Sequence, residues 1–235
     1  MDEASGALLY EVNPHLRLPP ASLTKIATAV VSLELLDTSH IVETMPNPDR
    51  EWLDDATVMG LQPGDHFSVK ELLYGMMLKS GNDAAKELAR AAAGSESAFV
   101  LRMNELAHRL GLGNTRFSDV HGLGGVEHYS SAYDLAVLAR HAMTLPEFRE
   151  VVGTESRTTT DGSRPIDLYN HNPLLNYTPG VTGVKTGFTE QAGNTFVVSV
   201  ERDGHGIILV MLNAPNRAFD AIDLIEWAYA NHTWP

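Results

Sequence analysis

The chain contains no cysteine, so neither a disulfide nor a thiolate-held metal can be part of it. Long apolar runs are missing too: the longest, residues 207–212, is far too short to cross a bilayer. No basic start followed by an apolar core and a small-residue cleavage site opens the sequence, so no secretory leader is legible. Positive charge is scarce. Against 30 acidic side chains stand 17 basic ones, a formal net charge of -13 that repels phosphate backbones and leaves nucleic acid a poor partner. The ten histidines never fall into a His-Glu-x-x-His pattern, and His121 and His128 read as structural residues rather than metal ligands. No glycine-rich phosphate loop is present. Neither a metal nor a cofactor is expected.

What is present is ordinary for a folded globular protein: 235 residues, 43% apolar and 20% charged, enough for one large domain or two small ones. A turn over residues 2–6 followed by 7–11 reads as an N-terminal strand. From Ser22 the apolar residues Ile26, Val30 and Leu33 recur at helical spacing, placing Ser22 at a helix mouth. Residues 41–66 look irregular. Ser68 and Glu71 form a capping-box pattern ahead of a helix through Met76 and Met77, which reads as core packing. Ser80-Gly81-Asn82 breaks that helix, and further helices are predicted over 83–93, 97–110 and 131–143, with Gly94 and Gly111 as stops. After Pro146 the chain turns extended, at 158–160 and 181–184. Two β-branched runs, 195–201 and 206–212, join around Asp203-Gly204 as a hairpin, and a last helix covers 218–230. Trp227 and Trp234 flank this end, as core or interface. The order gives an α/β or α+β fold, with a helical block inserted into a sheet whose strands come from both ends of the chain.

Three short motifs can carry chemistry. Ser22-Leu23-Thr24-Lys25 sets a hydroxyl and an amine one helical turn apart on one face. Ser80-Gly81-Asn82 lies at a helix break, where side chains can project into a cleft. Lys185-Thr186-Gly187 follows an extended segment, and its glycine lets another backbone approach closely. Singly they are weak, since a Ser-x-x-Lys arises by chance roughly once in a chain of this length. An N-cap serine, a turn and a solvated strand lysine would explain them as well. Their order and separations do not fit that plain account.

In this order and spacing they resemble the penicillin-recognising serine enzymes. More closely, the chain is similar to the low-molecular-mass D-alanyl-D-alanine carboxypeptidases, peptidase family S11. The resemblance rests on Pro19-Pro20-Ala21-Ser22-Leu23-Thr24-Lys25, on residues 78–85 around Ser80-Gly81-Asn82, and on Gly183-Val184-Lys185-Thr186-Gly187-Phe188-Thr189 followed by Ala192-Gly193. His121-Gly122-Leu123 and the segment 129–140 also look like the family. The resemblance implies a serine β-lactamase/DD-peptidase-like fold: an antiparallel sheet flanked by helices, with an all-helical subdomain over approximately 40–145. It implies a single catalytic domain over 1–235, without the C-terminal β-rich domain and membrane-anchoring helix of many relatives. Ser22 is then the nucleophile, Lys25 its base and Ser80 a proton shuttle to the departing amine. Asn82 would hold the substrate amide, and Lys185 and Thr186 its terminal carboxylate, with Arg217 helping to hold that carboxylate. The backbone N–H groups of Ser22 and of Phe188, next to Gly187, would form the oxyanion hole.

The implied reaction removes the terminal D-alanine from peptidoglycan stem peptides (the pentapeptide ending in D-Ala-D-Ala) through an acyl-enzyme, with β-lactams acylating the same serine. Such a substrate places the protein outside the cytoplasm, in the periplasm or cell envelope. Two alternatives share the motifs. A class A β-lactamase would carry a Glu-x-x-Leu-Asn pattern after the second motif, and the sequence has none. A catalytically silent penicillin-binding module would be expected to have lost one motif, and all three are intact.

Overall fold

The computed structural model describes residues 1–45 and 57–233. A short 3₁₀ turn, Ala21–Leu23, leads into α1, Thr24–Leu35. Then follow β1, Ile41–Glu43, and β2, His66–Ser68, an antiparallel pair. Next come α2 (Val69–Leu78), α3 (Asn82–Ala93), α4 (Glu96–Arg109), α5 (Ala132–Ala142) and α6 (Pro146–Val152). The antiparallel pair β3 (Ser156–Thr158) and β4 (Asp167–Tyr169) precedes a hairpin-linked sheet of β5 (Val181–Thr189), β6 (Gly193–Arg202) and β7 (His205–Met211), in the order β5-β6-β7. The chain closes with α7, Arg217–Asn231.

Alternation along β6 divides the interior. Val197 points to one face and joins the main core with Val184, Ile208 and residues of α1 to α6. Phe196, Val198 and Val200 point to the other and pack under Ala221, Ile225 and Ala228 of α7. This is an α+β sandwich with helices on both faces of an antiparallel sheet, the fold class expected, but the three strands of that sheet all come from residues 181–211 rather than from both ends of the chain. The central strand is buried on both faces, which is why its sequence reads as a nearly continuous apolar run. Helix α1 is buried continuously from Thr24 to Ser32 and packs against α2, α3, α4 and α5, so its polar residues Thr24, Lys25 and Thr28 are interior groups needing partners.

Local signals behave as their physics requires. Asp203 and Gly204 both have positive φ, 51° and 80°, matching the turn that joins β6 to β7 without splaying them. Gly94 ends α3 in the left-handed conformation. Ser68, Ser95 and Ser131 each accept the capping N–H of the helix they open. Met76 and Met77 lie in the core.

Three expectations need correction. Residues 7–11 form no strand. The chain start does run beside β7, through Glu3 N–H to Gly206 O and a Met1–Ile208 exchange, but pairing stops there. Leu8 and Tyr10 stand exposed, and a groove of about 630 Å³ separates this segment from β7. Without a neighbouring ladder, a β-prone segment has no partner for its backbone groups. Secondly, Pro146 opens α6 rather than ending helical structure, because the first helical position needs no N–H. Thirdly, the stretch 41–66 contains β1 and the first residue of β2, although residues 46–56 lie outside the described ones. Trp227 packs edge-on to Tyr10 and His232, while Trp234 lies outside the described residues.

Candidate active site

The Ser22 backbone is prepared by a strained step. Ala21 has φ of 50°, a conformation disfavoured by about 1 kcal/mol or more for an L-residue with a Cβ. It is locked by Thr24 Oγ1 donating to Ala21 O at 2.8 Å and by Thr195 Oγ1 donating to Pro20 O at 3.2 Å. One turn on, Lys25 is fully buried. Its Nζ lies 3.0 Å from Ser22 Oγ and donates to the His121 carbonyl at 2.9 Å. Burial first, and then the charge of Lys185, push the Lys25 amine well below the usual lysine range, outweighing the opposing pull of Asp119 and Asp83. A neutral amine there keeps one N–H on the carbonyl and a lone pair for the serine proton.

The His121 carbonyl is held in place by its own loop. Asp119 Oδ1 accepts the N–H groups of His121 and Gly122. A Cβ on Gly122 would stand 1.9 Å from Ala21 O, so the loop and the serine turn touch backbone to backbone. His128 ties both together, with Nε2 2.7 Å from Thr24 Oγ1 and Nδ1 accepting the Ser118 N–H at 3.0 Å. Burial lowers the pKa of both His121, to about 4, and His128. Among the described residues no group of three His, Asp or Glu gathers as a metal site.

Ser80 and Asn82 sit on the buried turn between α2 and α3, Ser80 with φ of 61°. This turn lies near Lys25, since the adjacent Asp83 acts on the Lys25 charge. The opposite wall is β5, the outer strand of its sheet. Gly187 approaches so closely that a Cβ would lie 2.9 Å from Ser22 N. Asn194, paired with Phe188, gives its carbonyl to Ala214 on the β7 side; Phe188 N–H therefore points away from β6, to the open edge of the sheet. The Phe188 side chain is exposed.

Lys185 is buried, donates to Thr186 O at 3.0 Å, and is pushed down to about 7 by burial and then by Arg217. Thr186 is buried beside it. Arg217, the first residue of α7, donates to Gly187 O at 2.6 Å and Thr195 O at 3.3 Å, anchoring the helix to the strand that lines the cleft. The structure thus brings Ser22, Lys25, Lys185, Gly187 and Arg217 into one neighbourhood, with Thr186 beside Lys185; the Ser80–Asn82 turn is linked to it through the adjacent Asp83, whose charge reaches Lys25. Sequence reasoning missed the His121 carbonyl and the Asp119 side chain that fixes it. A backbone acceptor leaves no side-chain signal. An aspartate two residues before His121-Gly122 was the one available hint, as a local turn former.

Solved structures with this architecture include the Streptomyces K15 DD-transpeptidase, with TM-score 0.92, 33% identity and coverage of 98% of this chain and 95% of that one. The sequence matches the description D-alanyl-D-alanine carboxypeptidase, Peptidase_S11, over residues 1–216, and the chain belongs to that family. Curated relatives include D-alanyl-D-alanine carboxypeptidase DacF of Bacillus subtilis, 35% identical over 99% of this chain and 61% of that protein. DacD of Escherichia coli is 36% identical over 99% of this chain and 62% of that protein. The chain spans about three fifths of the length of these two relatives.

Proposed function

We propose that this chain is the catalytic unit of a serine-type D-Ala-D-Ala carboxypeptidase acting on peptidoglycan stem peptides outside the cytoplasm. The observation that carries the reading is Lys25: a fully buried amine, its pKa pushed well below the usual lysine range by burial and by Lys185, 3.0 Å from Ser22 Oγ. A serine hydroxyl needs such a base to become a nucleophile at neutral pH.

In the reaction, Ser22 Oγ attacks the carbonyl of the penultimate D-alanine and its proton passes to Lys25 Nζ. The negative charge on the former carbonyl oxygen is met by the N–H groups of Ser22 and Phe188. As the C–N bond breaks, Ser80 relays a proton to the departing amine and D-alanine leaves. Water then attacks the Ser22 ester, freeing the shortened peptide and restoring the hydroxyl. Asn82 holds the substrate amide. Lys185 and Thr186 bind the terminal carboxylate, with Arg217 supporting that end of β5. Penicillins present the same carbonyl and carboxylate and acylate Ser22.

The test is D-alanine release from a D-Ala-D-Ala tripeptide beside nitrocefin turnover, with intact-mass detection of a penicillin adduct. Release without fast nitrocefin turnover, and no adduct on Ser22→Ala, is the expected result. An adduct on Ser22→Ala would overturn the assignment of the nucleophile. Fast nitrocefin turnover would make the protein a β-lactamase, and a stable adduct with neither activity a silent binding module.

A further inference from the structure

The turn carrying Ser80 and Asn82 is held by Asp83, whose charge also reaches Lys25 and opposes the lowering of its pKa. Asp83 is buried, and its carboxylate accepts four backbone N–H groups. Oδ1 takes Met59 at 2.7 Å and Ala84 at 2.9 Å; Oδ2 takes Gly60 at 2.8 Å and Leu61 at 3.0 Å. Three of those four donors belong to one irregular segment, 57–61, which lies across the turn. The same segment accepts the Asn82 N–H on Thr57 O at 2.9 Å and the Lys79 amine on Met59 O at 3.4 Å. Met59 itself is buried where α2 has Gly75; a Cβ there would stand 2.1 Å from its sulfur. Gly81 is equally constrained, since a Cβ would meet Met59 N at 2.8 Å.

We propose that Asp83 is a positioning residue for the reaction: its carboxylate clamps the 57–61 segment onto the Ser80–Asn82 turn and so fixes the side chains that the turn presents to the nucleophile. The need for a clamp follows from the backbone. Ser80 has φ of 61°, which a residue with a Cβ keeps only when its surroundings over-determine it. Bonds on the turn that oppose relaxation include Gly81 N–H to Gly75 O at 3.1 Å, Ala85 N–H to Gly81 O at 3.2 Å and Asn82 N–H to Thr57 O at 2.9 Å; of these the last alone joins the turn to the 57–61 segment through its backbone. The Asn82–Thr57 bond depends on where the 57–61 segment lies, and Asp83 sets that through three charge-assisted bonds. The carboxylate-binding side of the cleft, Lys185 and Thr186, is on β5 and does not share these bonds. Losing the clamp should therefore slow the bond-making steps while leaving recognition of the substrate terminus in place. The inference rests on the reading of Ser80 and Asn82 given above.

The experiment compares Asp83→Ala and Asp83→Asn with the wild-type chain. It follows D-alanine release, Ser22 acylation by a fluorescent penicillin, thermal melting, and hydrogen exchange at the amides of 59–61. Asparagine keeps one acceptor for Met59 and Ala84 and turns an NH₂ towards Gly60 and Leu61, so it should release two of the three bonds to the segment. Misplacement by about 1 Å costs on the order of 10²-fold; kcat and the acylation rate should fall by that order in Asp83→Ala and by about tenfold in Asp83→Asn. KM should rise by less than kcat falls in both, because Lys185 and Thr186 keep the substrate terminus while Asn82 on the turn loses its place, with faster exchange at 59–61 in the same order. Rates near wild type despite faster exchange would overturn the proposal. So would equal losses in kcat and recognition, or loss of cooperative melting in both variants, since Asp83 would then be purely structural. Wild-type acylation separates the two readings: its absence counts against Ser22, and its presence with unchanged variants counts against Asp83 alone.

Discussion

Lys25 Nζ and Ser22 Oγ are 3.0 Å apart, and the amine's other hydrogen bond goes to a backbone carbonyl, that of His121. Among the described residues no carboxylate is bonded to this lysine, and burial favours the free base. Lys25→Met fills the same channel without a lone pair. Acylation by a fluorescent penicillin should slow by about 10²- to 10⁴-fold, the usual worth of a general base. The melting temperature should hold or rise, because a desolvated amine has been replaced by an apolar chain. Acylation within twofold of wild type would remove Lys25 as the base.

Gly122 should tolerate no side chain. Its φ is 98°, and a Cβ would meet Ala21 O at 1.9 Å and Ala21 C at 2.3 Å. Relief must come from moving Ala21, which shifts Ser22, or from moving the 119–122 loop, which withdraws the His121 carbonyl from Lys25. Gly122→Ala should lower the acylation rate by about 10²-fold or more and stability by about 1–3 kcal/mol. Acylation kinetics and denaturant melts on the same preparation check both. A variant acylated at the wild-type rate would show that the contact is slack.

These two cases show what the sequence could and could not tell. Helix starts at Ser68 and Ser131, the stops at Gly94 and Gly111 and the Asp203-Gly204 turn are local devices, complete within a few residues, and were legible; the cap at Ser95 was not, the helix being expected to begin at residue 97. The three motifs were legible as types at spacings. Residues 7–11 were not, because alternation says a strand is possible but not whether another strand lies beside it. Glu71 was half legible. Ser68 Oγ does accept its N–H at 3.3 Å, as a capping box requires, but its carboxylate turns to Arg157 and Thr160, far along the chain. The positioning groups of the site are of the same kind: a carbonyl of His121, an aspartate before it and a second one after Asn82 acquire their roles only through the fold.

Acid should destabilise the protein through the buried loop beside Lys25. Burial, outweighing the attraction of Asp119, lowers the His121 pKa to about 4 from an unfolded value of 6.5. The folded state resists a proton that the unfolded state accepts. Its contribution is therefore complete above pH 6.5 and is lost as the pH falls from 6.5 through 4, to a total of about 3 kcal/mol. His128, also lowered by burial, adds to the same limb. Denaturant melts at pH 7.5, 5.5 and 4.5 should show the decline, and His121→Gln should flatten much of it. A wild-type curve no steeper than that of the variant would refute the assignment.

The Glu71–Arg157 pair offers the clearest stability test. Glu71 is only 1% exposed. Burial alone would raise its pKa, yet the carboxyl is held below the usual range by Arg157 and by Thr160. The guanidinium makes a two-pronged contact, Nε to Oε2 at 3.0 Å and Nη2 to Oε1 at 2.7 Å, while lying 4.4 Å over the Tyr74 ring. This bridge ties β3 to α2, the helix that ends at the Ser80 turn. Arg157→Ala strands a buried carboxylate and should cost about 3–5 kcal/mol. Arg157→Met with Glu71→Gln removes both charges, keeps the stacking on Tyr74 and should recover most of that loss. The comparison is made by denaturant melts at neutral pH. If the double variant is no more stable than the single one, the cost lies in lost packing of the arginine stem, and the buried charge is not the reason the pair matters.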